Sequence, residues 1–131
     1  MKKTLFILLA SLFITSCGDG YIIDKNNVYY IIKPTSFAEH GGHGCKILLK
    51  NADADSFEEL EVGYGKDKSN VYLKGKLIKN ADPETFEIID FVNENSYGDK
   101  NYSKDKNYVF FYGKQIQNAN AKTFQIPKEK Q

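Results

Sequence analysis

The sequence predicts an all-β fold: an array of antiparallel β-hairpins joined by short helical turns and preceded by a helical export leader. Three observations predict it. A block recurs, Tyr21 to Tyr29, Tyr64 to Tyr72 and Tyr102 to Phe110, each copy carrying Asp-Lys in its middle at Asp24-Lys25, Asp67-Lys68 and Asp105-Lys106. A second block follows each copy, Asn51-Ala52-Asp53, Asn80-Ala81-Asp82 and Asn118-Ala119-Asn120, with a phenylalanine five residues after the alanine (Phe57, Phe86, Phe124). Residues that favour pleated, half-buried surfaces dominate the apolar set, nine Tyr and nine Phe with no Trp among 41% hydrophobic residues.

Each hairpin is read from β-formers flanking a tight turn. Val71-Tyr72-Leu73 and Lys76-Leu77-Ile78 flank Lys74-Gly75, and Val109-Phe110-Phe111 and Lys114-Gln115-Ile116 flank Tyr112-Gly113, where glycine tolerates positive φ. In the first copy Val28 to Ile32 and Lys46 to Leu49 form longer arms. From the Asp of the first block to the Ala of the second is 14 residues in the later copies and 28 in the first, so a 14-residue insertion, centred on Pro34 to Gly44, forms that hairpin's loop. Period-two alternation places Val28, Tyr30, Val71, Leu73, Val109 and Phe111 on one side with Leu49, Ile78 and Ile116, and that side is the expected core. Asp24, Asp67 and Asp105 open turns in which a short carboxylate accepts backbone N–H groups. Asp82-Pro83-Glu84-Thr85 reads as an N-cap and one helical turn that lowers Phe86 into the core.

At 131 residues the chain has room for one domain with one core. Residues 1–16 read as a signal peptide, 17–20 as a tether and 21–131 as the repeat domain, with copies near 21–60, 64–89 and 102–126. Met1-Lys2-Lys3 is a positive start and Leu5 to Ile14 an apolar run of about ten residues, half of the roughly 20 a membrane-spanning helix needs. Ile14-Thr15-Ser16-Cys17 resembles the lipobox of bacterial lipoproteins, which implies cleavage before Cys17 and a diacylglycerol on its sulfur. Two acyl chains hold a protein on a membrane where one dissociates. The expected address is the bacterial cell envelope, and Gly18 after the cysteine points to the outer membrane where there are two.

The residues Asp-Lys-Asn-x-Val-Tyr-Tyr, then Gly-Lys-x-Ile, Ala-Asp and Thr-Phe-Glu, resemble the DKNYY repeat family across residues 21 to 126. That family comprises bacterial proteins, commonly exported or lipid-anchored, with no assigned activity. The resemblance implies a regular fold and an envelope location and supplies no catalytic residue. Asn120 in place of Asp, Ser56 in place of Thr, Gln125 in place of Glu and the inserted loop depart from the pattern.

Charge excludes nucleic acid as a partner. Without Lys2 and Lys3 the 18 basic residues become 16 against 17 acidic, and all are Lys, so the bidentate guanidinium fork is missing. One cluster stands out: Glu39-His40-Gly41-Gly42-His43-Gly44-Cys45 gathers both histidines and the second cysteine. His40, His43 and Cys45 are candidate metal ligands without a recognised spacing, and a Cys-His dyad would lack the packed surround that fixes a nucleophile and its base. The plainer reading is a glycine-rich loop tip with Cys45 opening a strand, and no cofactor is expected beyond the lipid on Cys17. Tyr29, Tyr72 and Phe110 share one hairpin position opposite the expected core, and Tyr112 adds a fourth ring. Exposed, they form a candidate binding surface for a glycan or an envelope protein; the preferred alternative is that neighbouring hairpins or the downstream Phe residues cover them. The carboxylates Asp53, Asp55, Glu58, Glu59 and Glu61 match no calcium loop and fit turn capping.

The function expected is a non-enzymatic binding or structural module. A metal-dependent or thiol-based activity at His40, His43 and Cys45 and a toxin-immunity role are the alternatives.

Overall fold

The computed structural model describes residues 18–33, 44–90 and 100–127. These residues are all-β: three antiparallel sheets. The first contains β1 (Gly20–Asp24), β2 (Asn27–Ile32) and β3 (Cys45–Leu48) in that order. The second contains β4 (Glu58–Glu59), β5 (Tyr64–Lys66), β6 (Val71–Leu73) and β7 (Lys76–Leu77). The third contains β8 (Glu87–Ile89), β9 (Tyr102–Lys104), β10 (Val109–Phe111) and β11 (Lys114–Gln115). Register is the same at matching letters: Gly65 faces Tyr72 as Ser103 faces Phe110 and Ile22 faces Tyr29.

Both tight hairpins turn where the sequence places them. Lys74 and Gly75 have φ of 47° and 77°, and Tyr112 and Gly113 have 48° and 72°, the pair of positive values a two-residue primed turn requires. The helical turns expected at Asp82 and its counterparts are single turns without a helix. The one 3₁₀ segment among the described residues, Glu61–Gly63, is broken by Val62 at φ 56°, ψ 34°.

Each Asp-Lys turn of the two later copies is fastened to the copy before it. Asp67 Oδ1 accepts the backbone N–H groups of Ser69 and Asn70 (2.8 and 2.7 Å), and its Oδ2 accepts that of Asp53 at 3.0 Å. Asp53 in turn accepts the Ser56 hydroxyl, Ser56 Oγ accepts the Lys68 N–H (3.1 Å), and Lys68 Nζ lies 3.4 Å from Asp53. The same set recurs one copy on. Asp105 accepts from Asn107, Tyr108 (both 2.7 Å) and Asp82 (2.8 Å), Thr85 bonds Asp82 (2.7 Å), and Lys106 reaches Thr85 with its N–H (3.0 Å) and Asp82 with its ammonium (3.2 Å). Asp67 and Asp105 are buried by this clasp. Asp24 corrects the expectation of three equivalent turns: it is exposed, its carboxylate makes no such bond among the described residues, and Lys25 adopts φ 57° instead.

The apolar interior is two clusters, not one, and each draws on two copies. Tyr21, Val28, Tyr30 and Leu49 enclose Tyr72 of the next copy, and Tyr64, Val71, Ile78 and Phe86 enclose Phe110 of the next. The expected core face is correct for Val28, Tyr30, Leu49, Val71, Ile78 and Val109, all buried. Phe111 departs from it at 39% exposure, for a reason visible at the equivalent sites. A Cβ on Gly75 would stand 2.8 Å from Tyr30, and one on Gly113 3.4 Å from Leu73, so each turn glycine lies against the preceding copy at the position Phe111 occupies in the last. Nothing follows the last copy within the described residues, and Phe111 instead packs on Tyr102 and Tyr112 at centroid separations of 4.7 and 4.6 Å.

Candidate functional site

The row of rings opposite the expected core is not a surface. Tyr72 and Phe110 are 3% and 0% exposed, covered by Phe57 and Phe86 at ring separations of 6.1 and 6.3 Å. Tyr29 is half-buried beneath the Lys46 ammonium, 3.9 Å from its ring centre. The preferred reading holds for Tyr72 and Phe110: a lone hairpin covers one face, and the preceding copy's phenylalanine covers the other.

Tyr112 alone stays open, 56% exposed, and it borders a groove. The groove, about 380 Å³, lies between the β6–β7 hairpin and the segments Lys100-Asn101 and Tyr112 to Lys114. That volume falls in the range of small-ligand sites. Its floor is Leu73 and Ile78, which Gly113 approaches with no side chain between, and its walls are Leu77, Val62 and the Tyr112 ring. Two local rules are broken to build those walls. A β-branched residue at positive φ costs roughly 1–3 kcal/mol, and Val62 holds that conformation while 53% exposed. Tyr112 likewise takes the left-handed position of its turn, held by its N–H bonding the Asn101 carbonyl (2.9 Å).

Four lysines rim the groove. Lys100 is neutralised by Glu61 and by Asp90 (3.2 Å), and these carboxylates raise its pKa, the bond to Glu61 foremost. Lys74, Lys76 and Lys114 have no carboxylate within ion-pair distance among the described residues, so the rim carries uncompensated positive charge over apolar walls. Sequence reasoning marked Tyr112 and missed the rest. The letters do show lysine at both hairpin turns, Lys74 and Lys76 beside Gly75 and Lys114 beside Gly113, which is the one signal that could have found the rim.

Cys45 opens β3 as an exposed free thiol. His40 and His43, and with them the metal reading, lie outside the described residues, as do Cys17 and the leader. Among the described residues no three metal-ligating side chains gather, and no helix is long and apolar enough to cross a membrane. Asp53 and Asp82 have pKa values below the usual carboxylate range, chiefly through the Ser56 and Thr85 hydroxyls and then through Lys68 and Lys106. They act in the clasps. No family model, curated protein or solved structure matches the chain.

Proposed function

We propose that this is a DKNYY-like array of hairpin repeats, held at the bacterial envelope by a diacylglycerol on Cys17, acting as a non-enzymatic binding module whose ligand face is the lysine-rimmed groove. The observation that carries the reading is the pairing of an apolar trough with three lysines that lack carboxylate partners among the described residues. That combination fits an anionic amphiphile, with the acidic head on Lys74, Lys76 and Lys114 and the apolar part along Leu73, Leu77 and Tyr112. The recurring acids and hydroxyls support a non-enzymatic role, since Asp53, Asp67, Asp82, Asp105, Ser56 and Thr85 are engaged in joining copies.

Dodecanoate is a suitable probe. Titration followed by calorimetry should show saturable binding that Lys76→Gln/Lys114→Gln weakens roughly tenfold, taking up to about 1 kcal/mol for each exposed charge pair. No saturation, or equal binding by the variant, overturns the groove assignment. The anchor is tested separately: Cys17→Ala should release the protein from the membrane fraction or leave an unprocessed precursor. A processed form that still partitions to membranes refutes lipidation.

A further inference from the structure

The joint between successive copies has four parts, and each is complete at both interior junctions. The clasp brings Asp67 to Asp53 and Asp105 to Asp82. A small residue lies under the preceding phenylalanine: a Cβ on Gly65 would stand 2.6 Å from Phe57 Cζ, and its counterpart Ser103 is fully buried. The segment after each phenylalanine adds as a strand to the next copy, β4 on β5 and β8 on β9, its third residue engaging the facing tyrosine as Leu60 N–H bonds the Tyr64 carbonyl (2.8 Å) and Ile89 pairs with Tyr102. The fourth part is the turn glycine, Gly75 or Gly113, seated on the copy before.

A joint of this kind is head-to-tail, and a head-to-tail contact between copies of a chain does not close unless the rotation happens to form a ring. The first copy's Asp24 turn and the last copy's Asn120 to Pro127 segment are the two halves of one more such joint. At all four parts the chain departs from the interior pattern. Asn120 stands where Asp53 and Asp82 stand, so the carboxylate that pairs with the incoming lysine is gone. Ile22 occupies the register position of Gly65 and Ser103, filling the space a docked Phe124 would need. Pro127 takes the place of Leu60 and Ile89 and has no N–H to donate. In the first copy the Tyr30–Ile47 pair matches Leu73–Lys76, and β2 and β3 continue beyond it through Ile31–Lys46 and Ile32–Cys45 where the later copies have the two-residue glycine turn.

We infer that these four departures act together to stop this protein from polymerising head to tail through its own repeat joint. The partner excluded is a second copy of this chain, and the excluded contact runs from Asp24-Lys25 of one molecule to Asn120 to Pro127 of the next.

The test restores the joint: Ile22→Gly, Asn120→Asp and Pro127→Ile, with Lys-Gly in place of residues 31–46, in the full chain in mild detergent. Sedimentation velocity should show at least a doubling of mean mass with rising concentration, while the native chain keeps a constant mass. Adding Asp24→Ala to the restored variant should return it to the native mass. Ile22→Ser in place of Ile22→Gly provides a second version that keeps strand propensity. Restored variants that show the native circular dichroism yet keep a constant mass overturn the inference, and so does a native chain that assembles through Asp24.

Discussion

Asp105→Ala isolates what a clasp contributes, because Asp24 supplies a control with the same surrounding letters. Asp105 accepts three backbone N–H groups, from Asn107 and Tyr108 within its own turn and from Asp82 across the joint, all at 2.7–2.8 Å. A hydrogen bond to a charged partner contributes roughly 1.5–3 kcal/mol. Asn107 and Tyr108 are exposed, so water replaces much of what their N–H groups lose, whereas the Asp82 group sits in the joint. The expected loss is therefore about 3–5 kcal/mol, a large part of the roughly 5–15 kcal/mol that holds a domain together. Asp105→Asn keeps Oδ1 but turns an NH₂ towards the Asp82 N–H, for a loss of about 2 kcal/mol. Asp24→Ala removes an exposed carboxylate without these bonds and should stay within about 0.5 kcal/mol of the native chain. Urea unfolding followed by circular dichroism gives all three values on one scale. Equal losses from Asp24→Ala and Asp105→Ala would refute the argument that the aspartate stabilises by fastening to the preceding copy.

Three further outcomes follow from the same geometry. Val62→Gly relieves a left-handed β-branched residue at small cost in burial and should raise stability by about 1 kcal/mol; a lowered urea midpoint would show that the valine is not strained. Asp53 and Asp82 bind protons less readily folded than unfolded, so the stability they contribute is full above the ordinary carboxylate value near 4 and is lost as pH falls through their depressed native values. Asp53→Asn/Asp82→Asn should flatten that acid limb in a midpoint-versus-pH series. Tyr72 is pushed up to about 12, by burial first and then by the Asp67 charge, so its contribution holds below the ordinary tyrosine value near 10 and fades between there and 12. Burial raises Tyr21, Tyr30 and Tyr64 as well, so absorbance titration at alkaline pH should show a late-ionising group of tyrosines, and Tyr72→Phe should reduce that late step by one tyrosine.

Local chemistry was legible in the letters and the joints were not. Lys74-Gly75 and Tyr112-Gly113 announced their turns because positive φ selects few residues, and Val28, Val71 and Val109 announced the covered face by alternation. Asp67 and Asp105 were readable as turn openers, yet their second carboxylate oxygen reaches 14 and 23 residues back to Asp53 and Asp82. A signal for that existed: Asp-x-x-Ser or Asp-x-x-Thr precedes the Asp-Lys of the second and third copies, and Asn120 stands in the aspartate's place in the third. Tyr72 and Phe110 are covered by the preceding copy's phenylalanine, as the preferred reading has it, whereas Phe111, expected in the core, is 39% exposed because its cover would have to come from a further copy. The groove depends on Val62 adopting a conformation its residue type disfavours, which no local preference foretells.

The clasps bridge 14 and 23 residues, whereas the bonds that tie the Tyr21 hydroxyl to Gly63 and Gly75 span 42 and 54, so the first joint demands the longer loop closure. Successive copies can zip onto a finished neighbour, and disruption should spread inward from the last copy, whose Phe111 is 39% exposed. Amide exchange would then be fastest around Phe111 and slowest around Val71, a gradient of protection along the chain in place of a single global opening.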